Sequence, residues 1–392
     1  MAQLSVVHLT NAITPDKLGG LERYVRELAE QLARDGLDVT VITKRVLTAS
    51  PSREITPDGV VLLRHDVPSK STKTFALRYP FVVGYGVLRD LRRVPRTSVV
   101  HCHYAFTTLP LLLTRRPYVY TFHAPVHKEI LNERGGSYAL PVAVQRGAVR
   151  AVRMVEQLIL RRARTIVVLS DAMAREVEAL SPGSREKILK IPGGFDSHFF
   201  CPSDESRLAE LSAPLRLFTA RRLTVRTGVV ELVEAVDALS QRGIDATLRI
   251  AGDGHQRHEI EQKIRDLGLE ERVLLLGRIS DEAVRDEYRA ADLVVMPTQE
   301  LEGFGLTTAE AMASGAVVVG TPIGANVEVI GEFNRDLVSA DSSPQAIAAV
   351  IADACDSSTS LNQLRRTAAT YARDRWSWKA VAKAYEGLYG RR

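Results

Sequence analysis

Apolar residues recur along this chain in two rhythms that alternate from end to end. Runs such as LSVVHLT (4–10), DVTVITKR (38–45), VVHCHY (99–104), YVYTFH (118–123) and TIVVLS (165–170) are nearly continuous in Val, Ile, Leu and Tyr, the pattern of strands buried on both faces. LERYVRELAEQLARDG (21–36) instead spaces Leu and Val at helical intervals, leaving charges on the other face. ILKIPGGF (188–195) ends this series, and SHFFCPSDESRLAELSA (197–213) has no sheet pattern and reads as a connection. A second series follows: strand LRLFTARRL (215–223), helix GVVELVEAVDALSQRG (228–243), strand ATLRIAGDG (246–254), a helix over 256–267, strand RVLLLGRI (272–279), a helix over 281–291, then strands AADLVVMP (290–297) and AVVVGT (316–321). WSWKAVAKAYEGLYG (376–390) closes the chain as an aromatic-rich amphipathic helix. Strand and helix in alternation predict an α/β fold with two parallel-sheet domains. The expected divisions are 1–196, a linker 197–213, 214–372, and a terminal helical segment 373–392.

A length of 392 residues lets each domain bury its own core, and 45% hydrophobic with 25% charged residues is a globular composition. No apolar run reaches the ~20 residues of a membrane span. The first ten residues enter a strand pattern directly, without the charged-then-apolar order of a signal peptide. Cys102, Cys201 and Cys355 lie far apart with no CxxC, which fits a reducing cytoplasm. Charge is uneven: residues 1–200 hold 29 Lys and Arg against 18 Asp and Glu, the remainder 23 against 29. The first half is therefore expected to meet something anionic. Arginine is dense in LRDLRRVPR (88–96) and in QRGAVRAVRMVEQLILRRAR (145–164). The second stretch reads either as a membrane-surface helix or as an ordinary amphipathic helix whose arginines face water. Aromatic residues are not interleaved with these arginines as stacking platforms, so no nucleic-acid partner is expected.

Candidate chemistry concentrates in PTQELEGFGLTTAEAMASG (297–315). A strand ends at Pro297, and Thr307 to Ser314 reads as a helix stopped by Gly315. Strand, glycine turn and helix N-terminus aim free N–H groups and the positive helix end at an anion. Glu302 and Glu310 stand eight positions apart around Gly303-Phe304-Gly305, and carboxylates there would accept from sugar or ribose hydroxyls. A phosphate and a sugar at one helix N-terminus imply a nucleotide-sugar site. Arg222 and Arg226, near the end of strand 215–223, are suited to gripping a diphosphate. Gly19-Gly20 is expected to supply positive φ and close backbone approach before helix 21–36. His123 falls at the C-terminal end of a strand, where open α/β sheets bind ligands. There is no Asp-x-Asp pair, no zinc-spaced His/Cys set, no Walker loop and no Gly-x-Ser-x-Gly elbow. No metal is expected, and leaving-group charge falls to arginines, a helix end and backbone N–H groups.

Two glutamates separated by seven residues around a glycine-rich turn resemble the signature of glycosyltransferase family 4, and the resemblance covers nearly the whole chain. It implies the GT-B architecture, two Rossmann-like domains with parallel sheets facing an inter-domain cleft. The last helix would cross back onto the first domain, with Trp376 and Trp378 marking the crossing. It implies a retaining, metal-independent transfer of a hexosyl-type sugar from a UDP- or GDP-linked donor, a co-substrate rather than a cofactor. By that resemblance Glu310 holds the ribose hydroxyls and Glu302 the sugar hydroxyls. The turn Gly303, Phe304 and Gly305, with the N–H groups of Gly305, Leu306 and Thr307, faces sugar and phosphate. His123 orients the sugar, Gly19 and Gly20 border the diphosphate, and Gly252 (in AGDGH, 251–255) with Arg278 and Ile279 (in LGRIS, 276–280) lines the nucleotide. His127 and Glu129 could join the acceptor side, though their spacing does not compel it. The family usually carries Lys where Thr227 precedes Gly228, so the second cationic role passes to Arg226; in IPGGFD (191–196), a hinge turn, Asp196 is structural. The acceptor is unidentified, with a glycan, a natural product and an anionic or lipid-linked molecule all open, as is peripheral contact of the basic first domain with the inner membrane face. Two other readings stay open. One is a nucleotide-sugar epimerase of GT-B shape, against which the seven-residue spacing argues; the other is a degenerate homologue that binds without turnover, for which Thr227 is the foothold.

Overall fold

The computed structural model describes residues 4–17, 19–68, 75–128, 142–203, 214–355 and 358–390. Glu129 and linker residues 204–213 lie outside the described residues. The chain divides into two units, Met1–Gly194 with Trp378–Arg392, and Phe195–Ser377.

In the first unit the strands are β1 (Ser5–Leu9), β2 (Asp38–Lys44), β3 (Arg53–Ile55), β4 (Val61–His65), β5 (Val99–Cys102), β6 (Tyr118–Phe122), β7 (Thr165–Val168) and β8 (Ile188–Lys190). Among the described residues they form one sheet in the order β3-β4-β2-β1-β5-β6-β7-β8, in which only β3 runs antiparallel to its neighbour. Every residue of β6 is buried, because helices cover both faces of a parallel sheet. The core joins Val7, Leu9, Val100, Tyr120, Phe122, Ile166 and Val168 to Ile159 and Leu160 of helix Val142–Arg162.

Sequence periodicity missed β3 and β4. β4 carries Arg64 in its middle, yet Arg64 is buried, donating to Asp16 Oδ2 at 2.7 Å and to Glu54 Oε2 at 2.7 Å. A buried charge is tolerated when its partners come with it, and such a pair cannot be seen in the linear pattern. Helix Phe75–Leu91 was also missed, since Pro80 interrupts its pattern.

The second unit holds β9 (Leu215–Ala220), β10 (Ala246–Ala251), β11 (Val273–Gly277), β12 (Leu293–Met296) and β13 (Val317–Gly320), all parallel, in the order β11-β10-β9-β12-β13. Strand order reverses at β9/β12, and helices Val229–Gln241, Arg257–Asp266, Asp281–Ala290, Leu306–Ala313 and Pro344–Cys355 complete the alternation. Helix Leu306–Ala313 ends as its sequence dictates: Gly315 takes φ +86°, its N–H donates to Met312 O at 3.0 Å, and Ala316 N–H donates to Ala311 O at 3.0 Å.

The two tryptophans separate at the point where the chain passes between units. Trp376 ends helix Ser358–Trp376 in the second unit, edge-on to Phe304 at 5.7 Å and to Tyr371 at 5.4 Å. Trp378 opens helix Trp378–Gly390 in the first unit, edge-on to Tyr24 at 5.1 Å, with its indole N–H donating to Glu27. In that unit Tyr385 bonds the Tyr24 hydroxyl and Tyr389 the His101 ring. A Cβ on Gly194 would stand 2.5 Å from the Trp378 ring, so only glycine fits there. The segment grouped with the first unit begins at Trp378. Asp196 acts structurally, its Oδ1 accepting the N–H of His198 at 2.9 Å and of Phe199 at 3.2 Å.

Candidate functional site

Parallel pairing brings the C-terminal ends of β9, β10 and β11 into line, with Ala251 opposite both Ala220 and Gly277. The loops that leave these ends pack backbone against backbone. Gly252 has φ +134° and donates to Gly277 O at 2.7 Å, and a Cβ on it would stand 1.8 Å from Arg221 O. Gly228, φ +73°, would bring a Cβ to 1.7 Å from Pro297 O. Glycine is required at both positions by conformation and by space.

Glu302 lies in the loop after β12, its carboxylate 13% exposed and paired with Arg221 (7% exposed) through Nη2 to Oε2 at 2.8 Å. The Thr298 hydroxyl approaches the same oxygen at 3.4 Å. The Glu302 carbonyl accepts Ala325 N–H at 3.0 Å, and Gly324, φ +58°, sits against it where a Cβ would come within 2.5 Å. Just before it, Leu301 holds φ +53°, a left-handed conformation that costs a branched residue roughly 1–3 kcal/mol and persists only when neighbours impose it. Arg226 imposes it: its guanidinium Nη1 donates to Leu301 O at 3.0 Å, and its own carbonyl accepts Gln299 N–H at 2.8 Å and Glu300 N–H at 3.1 Å.

The helix beyond is entered through Gly305, φ +81° and ψ +62°, whose carbonyl accepts Thr308 and Ala309 N–H groups at 2.9 and 3.1 Å. Leu306 and Thr307 are the first helical residues, and first-turn N–H groups have no intrahelical acceptor. The Glu302 carboxyl carbon lies 3.8 Å from where a Gly305 Cβ would be, so the acid and the helix N-terminus are adjacent. Glu310 is buried one turn further along. Carboxylate, guanidinium and helix N-terminus together form a polar set able to bind hydroxyls and an anion.

The remaining residues singled out in this unit take these places. The side chain of Phe304 is 4% exposed and packs on Trp376, so Phe304 anchors the loop and leaves only its backbone for a ligand. The arginine paired with Glu302 is Arg221, while Arg222 is exposed. Thr227 is buried, its hydroxyl within 2.7 Å of Arg222 O and 2.6 Å of Thr224 O, so it folds into its own turn. Arg278 is 75% exposed, 3.6 Å from Asp253, and Ile279 is half-buried beside it.

In the first unit, Gly19 has φ 171° and ψ 159°, extended backbone open to any residue, which corrects the expectation of positive φ. A Cβ there would stand 2.2 Å from Glu22 Oε2, the end of a flexible side chain that would have to swing away. Glu22, buried at the third position of helix Gly20–Arg34, reaches back over the N-terminus and pairs with Lys17. His127 is tied to Glu156 of helix Val142–Arg162, Nδ1 to Oε2 at 2.6 Å, and burial raises the Glu156 pKa.

His123 follows β6 and belongs to an array that linear spacing hid. His8 and His101 stand opposite each other in β1 and β5, and His103 follows β5. His8 Nδ1 is 2.9 Å from His103 Nε2, and His103 Nδ1 is 3.2 Å from His123 Nε2. His101 Nδ1 meets the Tyr389 hydroxyl and its Nε2 the Thr121 hydroxyl, both at 2.6 Å. Burial pushes the pKa of His8 and of His123 down to about 3, and lowers those of His101 and His103 well below 6.5. Ligand atoms of His8, His101 and His103 lie within 4.8 Å of one another. The donors fit a metal poorly: both ring nitrogens of His101 and of His103 are committed to hydrogen bonds, and a ligand must offer a free lone pair.

The model of the glycosyl transferases group 1 matches residues 204–375, and that of the glycosyl transferase 4-like domain matches residues 19–194. The D-inositol 3-phosphate glycosyltransferase of Nocardia farcinica is 30% identical over 337 residues, covering 78% of this chain and 70% of the relative. Among solved structures, sucrose-phosphate synthase from Thermosynechococcus elongatus superimposes with a TM-score of 0.77 at 20% identity, covering 99% of this chain and 98% of that one. The Anabaena protein HepE in complex with UDP and glucose gives 0.74 at 18% identity, with both chains covered to 100%. Two α/β units with parallel sheets, the glutamate-flanked turn and these matches agree, and the chain belongs to glycosyltransferase family 4, with the GT-B fold and the activity of a glycosyltransferase.

Proposed function

We propose that the enzyme is a retaining, metal-independent transferase that moves a hexosyl-type sugar from a UDP- or GDP-linked donor to an acceptor hydroxyl. The observation that carries this is the Arg221-locked Glu302 carboxylate beside the N-terminus of helix Leu306–Ala313. Glu302 would accept sugar hydroxyls and Glu310 ribose hydroxyls. The Gly305, Leu306 and Thr307 N–H groups would face sugar and phosphate, and Gly252 with the backbone at Arg278 and Ile279 would line the nucleotide. Arg222, exposed at the end of β9, would draw charge from the departing diphosphate, while Arg226 holds the loop and adds positive potential. His123 would orient the sugar. In the step itself the bond from C1 to the diphosphate oxygen breaks and the acceptor oxygen bonds C1 from the same face, its proton passing to the leaving phosphate. Retention rests on family resemblance, and metal independence on the lack of an Asp-x-Asp pair.

The test is nucleotide release from a panel of nucleotide sugars, with and without EDTA. EDTA-insensitive release of UDP or GDP, lost in Glu302→Ala and Arg222→Ala, supports the proposal. Sugar interconversion without nucleotide release identifies an epimerase, and binding without turnover a degenerate homologue; either refutes it.

The acceptor side carries a second part of the proposal, contact with an anionic membrane surface. Among the described residues no helix is long and apolar enough to cross a membrane. Phe81 and Tyr85 on helix Phe75–Leu91, Leu113, and Met154 and Leu158 on helix Val142–Arg162 are 75, 67, 86, 63 and 50% exposed. Both helices pack against the 3-10 turn Leu109–Leu113, and Arg146, Arg150, Arg153 and Arg161 are exposed beside the apolar pair 154/158. Cosedimentation with phosphatidylglycerol vesicles but not phosphatidylcholine vesicles, weakened in Met154→Ser/Leu158→Ser, is expected; equal recovery with both lipids refutes it.

A further inference from the structure

His8, His103 and His123 lie end to end, ring nitrogen to ring nitrogen, at the C-terminal edge of the first unit's sheet. A neutral imidazole has one N–H and one lone pair, so the proton on any ring fixes the proton on the next. Burial keeps all three rings neutral, as their lowered pKa values show. Two arrangements then satisfy both hydrogen bonds. In the first, every ring is protonated at Nδ1, and donation runs from His8 to His103 to His123. In the second, every ring is protonated at Nε2, and donation runs the other way. They differ at the closed end of the chain. His8 is fully buried and its Nε2 has no hydrogen-bond partner. The second arrangement would bury an N–H with nothing to accept it, whereas the first leaves only an unused lone pair. Orphaned buried N–H groups are the rarer and costlier defect. His123 is only part-buried, so its free nitrogen, Nδ1, is the one left for a ligand.

We infer that His8 and His103 are positioning residues that fix His123 as its Nδ1–H tautomer, making it a neutral hydrogen-bond donor and not a base. The functional half of this rests on the proposal that His123 meets the donor sugar; the tautomer itself does not. Tyr24, edge-on to His123 at 4.9 Å, limits rotation of the ring.

The experiment is nitrogen–proton correlation NMR of histidine-labelled wild-type protein at pH 7.5, with rings assigned by single His→Gln changes. Nδ1-protonated signatures for His8, His103 and His123 are expected; an Nε2-protonated His123 overturns the inference without needing any variant to be active. In parallel, His103→Phe should let His123 revert to mixed tautomers and lower kcat about tenfold, roughly the worth of one neutral hydrogen bond, with donor KM changed less than twofold. His103→Asn, whose amide can still donate, should recover most of that loss. An altered tautomer with unchanged kcat refutes the positioning role. Full activity in His123→Ala would instead refute the role of His123 at the sugar, leaving the tautomer pattern to be judged by NMR alone.

Discussion

Acidification should destabilise the first unit before most carboxylates are titrated, because it buries histidines whose protonation the fold resists. His8 and His65 have folded-state pKa values lowered by burial to about 3 and about 4, from an ordinary value of 6.5. Above pH ~6.5 both folded and unfolded chains carry these rings neutral, and the shift has no effect. Below it the unfolded chain takes up protons that the folded chain refuses, so stability falls with pH until the folded pKa is reached. For one ring shifted from 6.5 to about 3 the linkage relation gives ~0.2 kcal/mol lost at pH 7 and ~2 kcal/mol at pH 5. His65 adds a similar ~2 kcal/mol, so about 4 kcal/mol of a typical 5–15 is at stake. His101 and His103 act in the same direction; Glu156, with its pKa raised by burial, opposes them once its own range is reached. The assay is urea unfolding at several pH values between 7.5 and 5, followed by amide exchange in β1, β4 and β5. Each ring contributes a slope that is near zero at pH 7.5, about half of 1.4 kcal/mol per pH unit at pH 6.5, and close to about 1.4 by pH 5. His65, which has no side-chain hydrogen bond and packs against Gly86, can be replaced by Leu, and the slope should drop by that amount. A wild-type slope below one proton, or a slope unchanged in His65→Leu, would refute the reasoning.

Two further outcomes follow from the second unit. Arg221→Met should destabilise it by about 2–3 kcal/mol by leaving the partly buried Glu302 carboxylate without its cation, and Glu302→Gln in the same chain should restore most of the loss; a cost under ~1 kcal/mol in denaturant titration would show the pair to be incidental. Gly252→Ala should cost more than about 2 kcal/mol, since it adds a clash with Arg221 O to a left-handed backbone, whereas Gly268→Ala, φ +64° with open space around it, should cost only about 1 kcal/mol; equal losses in melting temperature would sink the steric argument.

The alternation of strands and helices and the turn 297–315 were legible because glycine and proline punctuate them and because buried parallel strands read as continuous apolar runs. What stayed hidden is what only tertiary contact decides. Successive residues of an extended chain point to opposite sides, so Arg221 and Arg222 look alike in sequence while one pairs with Glu302 and the other faces solvent. A glycine-flanked phenylalanine reads as a ligand contact, but Phe304 is claimed by Trp376 from the far end of the unit. His8 and His103 are 95 positions apart, and only the β1/β5 register makes them neighbours. Glu22 escaped notice because helix-start glutamates are common; its proximity to Gly19 is a matter of side-chain direction.

Because Trp378–Arg392 completes a unit that begins at Met1, the amino-terminal half of this enzyme cannot finish folding as it leaves the ribosome. Until the last helix is made, Tyr24 lacks the hydroxyl of Tyr385, Glu27 lacks an indole donor and His101 lacks Tyr389. A premature stop just after Ser377 would therefore injure the beginning of the protein more than its end, and the nascent first half waits for its closing helix while the whole of Phe195–Ser377 is translated.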